Sequence, residues 1–578
     1  MLKKLMLCIC GLSIPFIASA QEMATRFEKS GGTQSSPYTE VIDFYHQLDK
    51  QHGTVKIVEA GGTDTRHPLH VVYYSQDKQF DIETWKADNK VILLINNAIH
   101  PGEPDGIDAS MMLLRNAATG KINMPENIVL AVIPVFNIGG ALDRGSHSRA
   151  NQNGPEEYGF RGSAQNLDLN RDFIKLDAKE TQSLIRLFHR LDPDIFIDNH
   201  VSNGADYQHI MTLLSTQHNK LGGTMGQYLH NIFEPAIYAD MKQKGYDLVP
   251  YVNHWGHTPE RGWIAFHEGP RFASGFATLF QTYSFVPETH MLKPFKQRVE
   301  ATYTLMTSFI SLASKNAADI RRTRKAERAA TADLMTLPIE WKVDTTKPDK
   351  IEFRGYKSGY KPSEVSGKPR LYYDRQQPYT TQVTFHNYYK PVLQADVPKA
   401  YVIQQGWPKV IRRLKWNGVK MQALERDTTI NLSVTYIDNY ETAKPYEGHY
   451  LHSKVKAHTV ARQIKLLKGD YLIPTNQKAE RYIVETLEPT APDAFFAWGF
   501  FDAILQQKEG FSDYVFEDEA AELLKSTPEL RRMLKEKQQA DTAFAKDGEA
   551  QLEFVYQHSP YYEPVHMRYP VYKLEWQQ

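Results

Sequence analysis

The stretch that decides the fold is VILLINNAIHPGEPD, residues 91–105. Residues 91–95 form an apolar run without alternation, which is typical of a strand buried on both faces. Two prolines and a glycine in the following segment disfavour a helix, so His100 and Glu103 are expected in a stiff turn at the strand end. An imidazole and a carboxylate held close together supply two of the three protein ligands of a catalytic zinc site. The third ligand must come from elsewhere in the chain.

Length and composition limit the possible classes of protein. The chain has 578 residues, which is too long for one core and predicts two to four domains of roughly 150 residues. Its formal net charge is zero, which argues against nucleic acid as the main partner. Residues 36–314 show strands alternating with helices, so we expect an α/β domain there.

Residues 1–20 have the pattern of a secretory signal peptide: two lysines, an apolar stretch and the small residues Ala18-Ser19-Ala20. We expect cleavage after Ala20 and export to the periplasm or the exterior, with an uncleaved anchor as the alternative. Both cysteines lie in this leader, so the mature chain is expected to form no disulfide. No later segment is apolar enough to span a membrane. The short spacer before the α/β pattern predicts activity without proteolytic maturation.

Changes of texture along the chain suggest its domain organisation. A charged segment at residues 315–328 predicts a solvated connecting helix, and the aromatic run at 495–501 is expected in a core. The predicted organisation is a signal peptide (1–20), a catalytic domain (21–320), a charged linker helix (321–336), a mainly β domain (337–470) and a mixed α/β C-terminal region (471–578).

His200 is the predicted third metal ligand. It follows the apolar residues 195–197, which read as a buried strand, just as His100 follows residues 91–95. Ligands bind in α/β sheets at such strand ends. A short-spaced first pair with a distant third ligand is a common arrangement for catalytic zinc.

Several motifs follow one another in a fixed order along the chain: His100-x-x-Glu103, Asn137-Ile138-Gly139-Gly140, Arg149, Asp168-Leu169-Asn170-Arg171, His200 and Tyr283-Ser284-Phe285-Val286-Pro287-Glu288. On these motifs the sequence resembles the zinc metallocarboxypeptidases of the carboxypeptidase A type, over about residues 36–314. The tail, including residues 485–489 and the Phe-rich run, is similar to the region after the peptidase domain in some exported bacterial members.

The resemblance implies an α/β fold with a mixed central sheet and helices on both faces, and one Zn²⁺ held by His100, Glu103 and His200. Glu288 would be the general base, taking a proton from the attacking water and passing it to the leaving amine. Arg149 would stabilise the oxyanion. Arg144 and Arg161 lie in the same loop and stay open as alternatives.

The resemblance also implies how substrate is held. Asn170 and Arg171 would grip the terminal carboxylate, since a guanidinium matches a carboxylate in two parallel hydrogen bonds. Asp168 would accept the free ring N–H of His100. Arg271, near the expected pocket wall, would favour acidic terminal residues or form a structural salt bridge.

One feature of the family is missing, namely a tyrosine on a mobile loop about twenty residues before the general base. Tyr251, Trp263 and His267 are candidates to replace it.

Three functions are compatible with these residues. The leading one is an exported zinc carboxypeptidase whose substrates are the C-termini of peptides or proteins. The second keeps the metal site but acts as an amidohydrolase on N-acyl amino acids or cell-wall peptides. The third is an inactive, peptidase-like binding protein, which is disfavoured because every residue that the chemistry requires is present.

Overall fold

The computed structural model describes residues 23–253 and 257–576. The predicted signal peptide therefore lies outside the described residues. Within those two ranges, no helix combines the length and the apolar character needed to cross a bilayer.

The first half of the chain is built around a sheet that contains both parallel and antiparallel strand pairs. Its strands are β1 (Val55–Gly61), β2 (Leu69–Ser75), β3 (Val91–Asn96), β4 (Ile128–Ile133), β5 (Ile195–Asp198), β6 (His200–Ser202), β7 (Met211–Ser215), β8 (Val249–Pro250), β9 (Trp263–Ile264) and β10 (Tyr283–His290). Within the described part of the chain, a nine-stranded sheet has the order β1-β2-β4-β3-β5-β10-β7-β8, and β6 pairs with β10. The pairs β3–β4, β3–β5 and β5–β10 are parallel, whereas β1–β2, β2–β4 and β7–β10 are antiparallel.

Helices cover both faces of this sheet. The helices of this half are α1 (Arg26–Lys29), α2 (Tyr38–Gln51), α3 (Ile82–Ala87), α4 (Asp105–Ala118), α5 (Ile138–Leu142), α6 (Lys179–Leu191), α7 (His218–Leu221), α8 (Gly223–Tyr228), α9 (Glu234–Gln243), α10 (Ala273–Thr278), α11 (Phe295–Lys315) and α12 (Ala317–Ala332). Ile92 and Leu94 of β3 pack with residues of α6 and α10, while Leu93 and Ile95 pack with α2, α4 and α11. The predicted mixed α/β sheet with helices on both faces is therefore confirmed.

The second half of the chain is rich in β structure. Its elements are β11 (Thr336–Val343), β12 (Asp349–Pro362), β13 (Pro369–His386), β14 (Tyr389–Asp396), β15 (Ala400–Ile403), α13 (Pro408–Trp416), β16 (Gln422–Ala423), β17 (Thr428–Thr442), β18 (His452–Leu466), β19 (Tyr471–Pro474), α14 (Glu480–Leu487), α15 (Asp513–Ser526), α16 (Pro528–Ala540), α17 (Gly548–Gln557) and β20 (Val571–Leu574). A six-stranded sheet has the order β16-β19-β15-β20-β17-β18. The long hairpin β12–β13 joins β9, so a strand of the first half is paired with the second half.

The two halves of the chain share one hydrophobic core. Phe188 and Phe276, from the α6 and α10 face of the first sheet, belong to the same buried cluster as Tyr482, Phe495 and Trp498. The aromatic run at 495–501 is core, as predicted, because its rings fill the space between the halves.

The expectation of a solvated helix at residues 315–328 is wrong for one face of α12. Arg324 is buried there and pairs with Asp192 and Asp194, which lie between α6 and β5. Ile320 and Thr323 are also buried. The charges on this helix therefore include structural ion pairs as well as solvated groups.

Candidate active site

The predicted metal ligands lie at neighbouring strand ends. His100 and Glu103 occupy the turn between β3 and α4, where the Glu103 N–H donates to the His100 carbonyl at 2.8 Å. His200 begins β6 and stands opposite Glu288 in the β6–β10 pairing. Because β3, β5 and β10 run parallel, their carboxyl ends bring these side chains to one edge of the sheet.

His100, Glu103 and His200 form a buried cluster whose ligand atoms lie within 4.8 Å of one another. The Nδ1 atoms of the two imidazoles are 3.3 and 3.1 Å from the two oxygens of the Glu103 carboxylate. Within the described residues, Nδ1 of His100 is buried without a hydrogen-bond partner. An unpartnered imidazole nitrogen facing a carboxylate and a second imidazole fits a metal cation, because each of these atoms has a lone pair to donate.

A carboxylate lies behind each histidine. The Nε2 atom of His100 is 3.0 Å from Asp168, as the resemblance implied, and Nε2 of His200 is 2.9 Å from Asp198. Each pair holds the ring so that Nδ1 faces the cluster. Partial burial of Asp168 favours its protonation, but His100 and the neighbouring guanidinium groups hold its pKa far below the usual range. The role of Asp198 was missed, although side chains two apart in a strand share a face and this spacing from His200 pointed to it.

Arg149 and Arg161 both reach Glu103 but differ in how fully they are engaged. Arg149 donates from Nη1 to Glu103 at 3.0 Å, from Nε to Gln152 at 2.6 Å and from Nη2 to the Val201 carbonyl at 3.4 Å. Arg161 donates from Nε and Nη2 to Asp168, while its Nη1 is 3.6 Å from Glu103, which is too long for a hydrogen bond. Of these two guanidinium groups, Arg161 is therefore the one with a nitrogen, Nη1, that makes no hydrogen bond within the described part of the chain.

Asn170 and Arg171 line the same cavity as the metal cluster. The Asn170 side-chain oxygen accepts the N–H of Ala273 at 3.1 Å. Arg171 donates from Nη1 to the Asn170 carbonyl at 2.8 Å, and its guanidinium lies 4.2 Å from the centre of the Phe272 ring. These contacts fix both side chains at the cavity wall.

Arg271 does not line this cavity. Its Nε donates to Asp493 at 2.7 Å, and its guanidinium lies 4.9 Å from the Trp498 ring. Of the two alternatives for Arg271, the structure therefore has the salt bridge, and a substrate-binding role is not supported because its charge is already neutralised.

The cavity has a volume of about 570 Å³. Its lining includes His100, Glu103, Arg149, Arg161, Asn170, Arg171, His200, Leu214, Tyr251, Phe266, Glu268, Phe272 and Glu288. Partial burial raises the pKa of Glu288 to about 8, and the nearby carboxylates of Glu103 and Glu268 act in the same direction. A divalent cation in the cluster would oppose this shift, because positive charge favours the ionised carboxylate.

Of the three candidates for the missing loop tyrosine, Tyr251 lies at the cavity. Trp263 is buried against Phe353 and Phe385, and the His267 ring lies 4.9 Å from that of Tyr389. Neither of these two contributes to the lining.

Glu268 is a cavity residue that sequence reasoning did not single out. Its carboxylate accepts hydrogen bonds from the backbone N–H and the hydroxyl of Ser274, and burial raises its pKa. Glu268 is a single glutamate in the segment GWIAFHEGPR, residues 262–271. This segment has no helical or strand periodicity, so nothing in the sequence indicated where the carboxylate lies.

No family model matches the chain. The chain is similar to curated fungal proteins named Carboxypeptidase 2. The one from Trichophyton rubrum is 22% identical over 490 residues, covering 81% of this chain and 85% of the relative. The one from Trichophyton equinum is 22% identical over 432 residues, covering 72% and 74%.

Among solved structures, carboxypeptidase A from Helicoverpa armigera matches 50% of this chain and 75% of its own, with 14% identity and a TM-score of 0.37. A metallo-carboxypeptidase from Burkholderia cenocepacia matches 48% and 69%, with 12% identity and a TM-score of 0.37.

Proposed function

We propose that this chain is an exported zinc carboxypeptidase that removes the C-terminal residue of peptides. The observation that carries the proposal is that one cavity holds the His100–Glu103–His200 cluster, the carboxylate of Glu288 and the Asn170–Arg171 pair. The curated relatives named carboxypeptidase, which align with most of this chain, support the same function.

Two imidazoles and a carboxylate are the ligand set of a catalytic zinc ion, which leaves a position open for water. When bound there, zinc would lower the pKa of water and polarise the scissile carbonyl. Asp168 and Asp198 keep the two imidazoles oriented through their Nε2–H groups.

Glu288 is the proposed general base. It accepts a proton from the attacking water as the water oxygen bonds to the carbonyl carbon. It then donates that proton to the nitrogen of the departing amino acid, so the C–N bond breaks and the nitrogen leaves as a neutral amine rather than as an anion. Arg161 donates from its available Nη1 to the carbonyl oxygen as negative charge develops there. This role passes to Arg161 because Arg149 is engaged with Glu103, Gln152 and Val201.

Arg171 and Asn170 bind the terminal carboxylate of the substrate, which restricts the enzyme to free C-termini. Beside them, Glu268 supplies a negative charge, while Leu214, Tyr251, Phe266 and Phe272 supply apolar surface. We infer a preference for long cationic terminal side chains, whose methylene groups contact the apolar lining while the head meets the carboxylate.

The test compares short peptides with free and amidated C-termini for the wild type and Glu288→Gln, after bound zinc has been quantified in both. We expect free peptides to be trimmed and amidated ones to be spared. Glu288→Gln should bind zinc and lose at least about 10²-fold in kcat, since general-base catalysis contributes that much or more. If zinc is bound and no peptide is cut, the substrate class is wrong, and N-acyl amino acids and cell-wall peptides are tested next.

A further inference from the structure

A tight turn from the second half of the chain lies against the catalytic segment. The turn is Tyr446-Glu447-Gly448-His449, between β17 and β18. Tyr446 and His449 exchange two backbone hydrogen bonds, of 2.7 and 3.0 Å, and Glu447 and Gly448 have φ values of 50° and 80°. Two consecutive left-handed residues are typical of a compact hairpin turn.

The turn contacts the catalytic segment at three points. The Tyr446 hydroxyl accepts a hydrogen bond from Nε of Arg171 at 3.1 Å. The Glu447 carboxylate accepts the Asp168 N–H at 2.7 Å. Nε2 of His449 is 2.7 Å from a carboxylate oxygen of Asp177. The turn thus contacts residues 168–177 at both ends of this segment and at Arg171.

The turn is supported from behind by the shared core. The ring of Tyr446 stacks on that of Trp498, with centroids 6.1 Å apart and planes at 23°. Arg271, held by Asp493, lies over both rings. A glutamate at positive φ is uncommon, and here its side chain gains the hydrogen bond to Asp168. These contacts give the Tyr446 hydroxyl a fixed position.

We propose that Tyr446 is a positioning residue for Arg171, so that the C-terminal region completes the carboxylate-binding wall of the cavity. This inference rests on the proposed function. With Nε held by Tyr446, Nη1 held by the Asn170 carbonyl and the plane resting on Phe272, the guanidinium is fixed in one orientation. Recognition of a carboxylate by two parallel hydrogen bonds requires such a fixed plane.

The kinetic test uses Tyr446→Phe, which removes only the hydroxyl. Tyr450→Phe is the matched control, since Tyr450 lies on the same connection but is 57% exposed. We expect Tyr446→Phe to raise KM for free peptides by about tenfold, as loss of a hydrogen bond to a charged group predicts, with kcat changed by less than about twofold. Tyr450→Phe should behave as wild type.

A second probe distinguishes a specific effect on the orientation of Arg171 from a disturbance of the whole site. Acetohydroxamate chelates a metal and has no carboxylate, so its inhibition constant should be the same in wild type and Tyr446→Phe. A parallel rise in KM and in the hydroxamate inhibition constant would mean that the substitution disturbs the whole site, and the proposal would be wrong.

Crystal structures of both proteins test the positioning without relying on turnover. Arg171 should occupy one conformation in the wild type and several in Tyr446→Phe. If Arg171 stays in place in the variant, the proposal fails, whatever the peptides show. If Arg171 moves but the wild type cuts no peptide, the proposed function fails and the positioning stands.

Discussion

Nη1 of Arg149 donates a hydrogen bond of 3.0 Å to Oε1 of Glu103, the carboxylate that also lies between the two imidazoles. The other oxygen of Glu103 accepts the N–H of Val201 at 2.9 Å. Both contacts orient a residue that we propose as a zinc ligand. We therefore propose that Arg149 orients this ligand rather than contacting the substrate.

Replacing Arg149 by Met should therefore weaken zinc binding by about 10- to 100-fold, as is typical when the partner of a ligand is lost. At saturating zinc, kcat should return close to the wild-type value, because the reacting groups are unchanged. Zinc affinity is measured by competition with a chelator, and activity is followed as a function of free zinc. A low kcat that added zinc does not restore would contradict this role.

Arg161→Met should show the opposite pattern. We expect kcat/KM to fall by about 10²- to 10³-fold at saturating zinc, the usual effect of removing one donor to a developing oxyanion. Arg161→Lys should have a kcat/KM between those of Arg161→Met and the wild type. An ammonium group keeps the positive charge but cannot form the bidentate hydrogen bonds with Asp168. If Arg149→Met proves inert at saturating zinc while Arg161→Met remains active, the sequence-based assignment of the oxyanion role to Arg149 is the right one.

The metal cluster could be predicted from the sequence because each ligand lies close to a recognisable local pattern. His100 and Glu103 follow an apolar run in a turn with two prolines, and His200 follows another such run. A buried strand places the next residues at the sheet edge, so the ends of two neighbouring parallel strands are enough to bring the three ligands together.

The choice between Arg149 and Arg161 was beyond the sequence for a physical reason. Both lie in a loop without periodicity, so nothing local fixes where either guanidinium points. Their roles depend on which partners accept their hydrogen bonds, namely Gln152, Glu103 and the Val201 carbonyl for Arg149 and Asp168 for Arg161.

The contribution of the C-terminal half was equally inaccessible. Tyr446 is 275 residues from Arg171, and no local pattern in residues 446–449 indicates the surface on which this turn docks. Arg271 shows the same limit, because its partner Asp493 is 222 residues away. The positions of the 446–449 turn and of Arg271 both depend on the packing of the shared core, whose residues are far apart in the sequence.

Glu268 provides a prediction about substrate preference. Peptides ending in Arg or Lys should have a kcat/KM at least about tenfold higher than those ending in Asp or Glu, because a second carboxylate beside Glu268 is repelled. Glu268→Gln keeps an oxygen for the Ser274 hydrogen bonds and removes the charge. In this variant the ratio of the two kcat/KM values should fall towards one.

The control for Glu268→Gln is Arg271→Met. This variant removes the positive charge that the sequence analysis considered as a determinant of the preferred terminal side chain. Since Arg271 is paired with Asp493 away from the cavity lining, we expect the ratio of cationic to acidic peptides to stay unchanged. A preference for acidic peptides that Arg271→Met abolishes would instead support the sequence-based alternative.

The ion pairs of Arg324 connect α12 to the catalytic sheet. Asp194 accepts the Ile92 N–H at 3.0 Å, at the start of β3, and the same carboxylate is paired with Arg324. Arg324→Met would leave this buried carboxylate without its cation, so we expect a loss of about 3–5 kcal/mol in the free energy of unfolding, measured by urea denaturation. The matched control is Arg322→Met on the same helix, whose pair with Asp319 is exposed and should contribute less than about 1 kcal/mol. Equal shifts for the two variants would mean that the buried pairs do not stabilise the junction between α12 and the sheet.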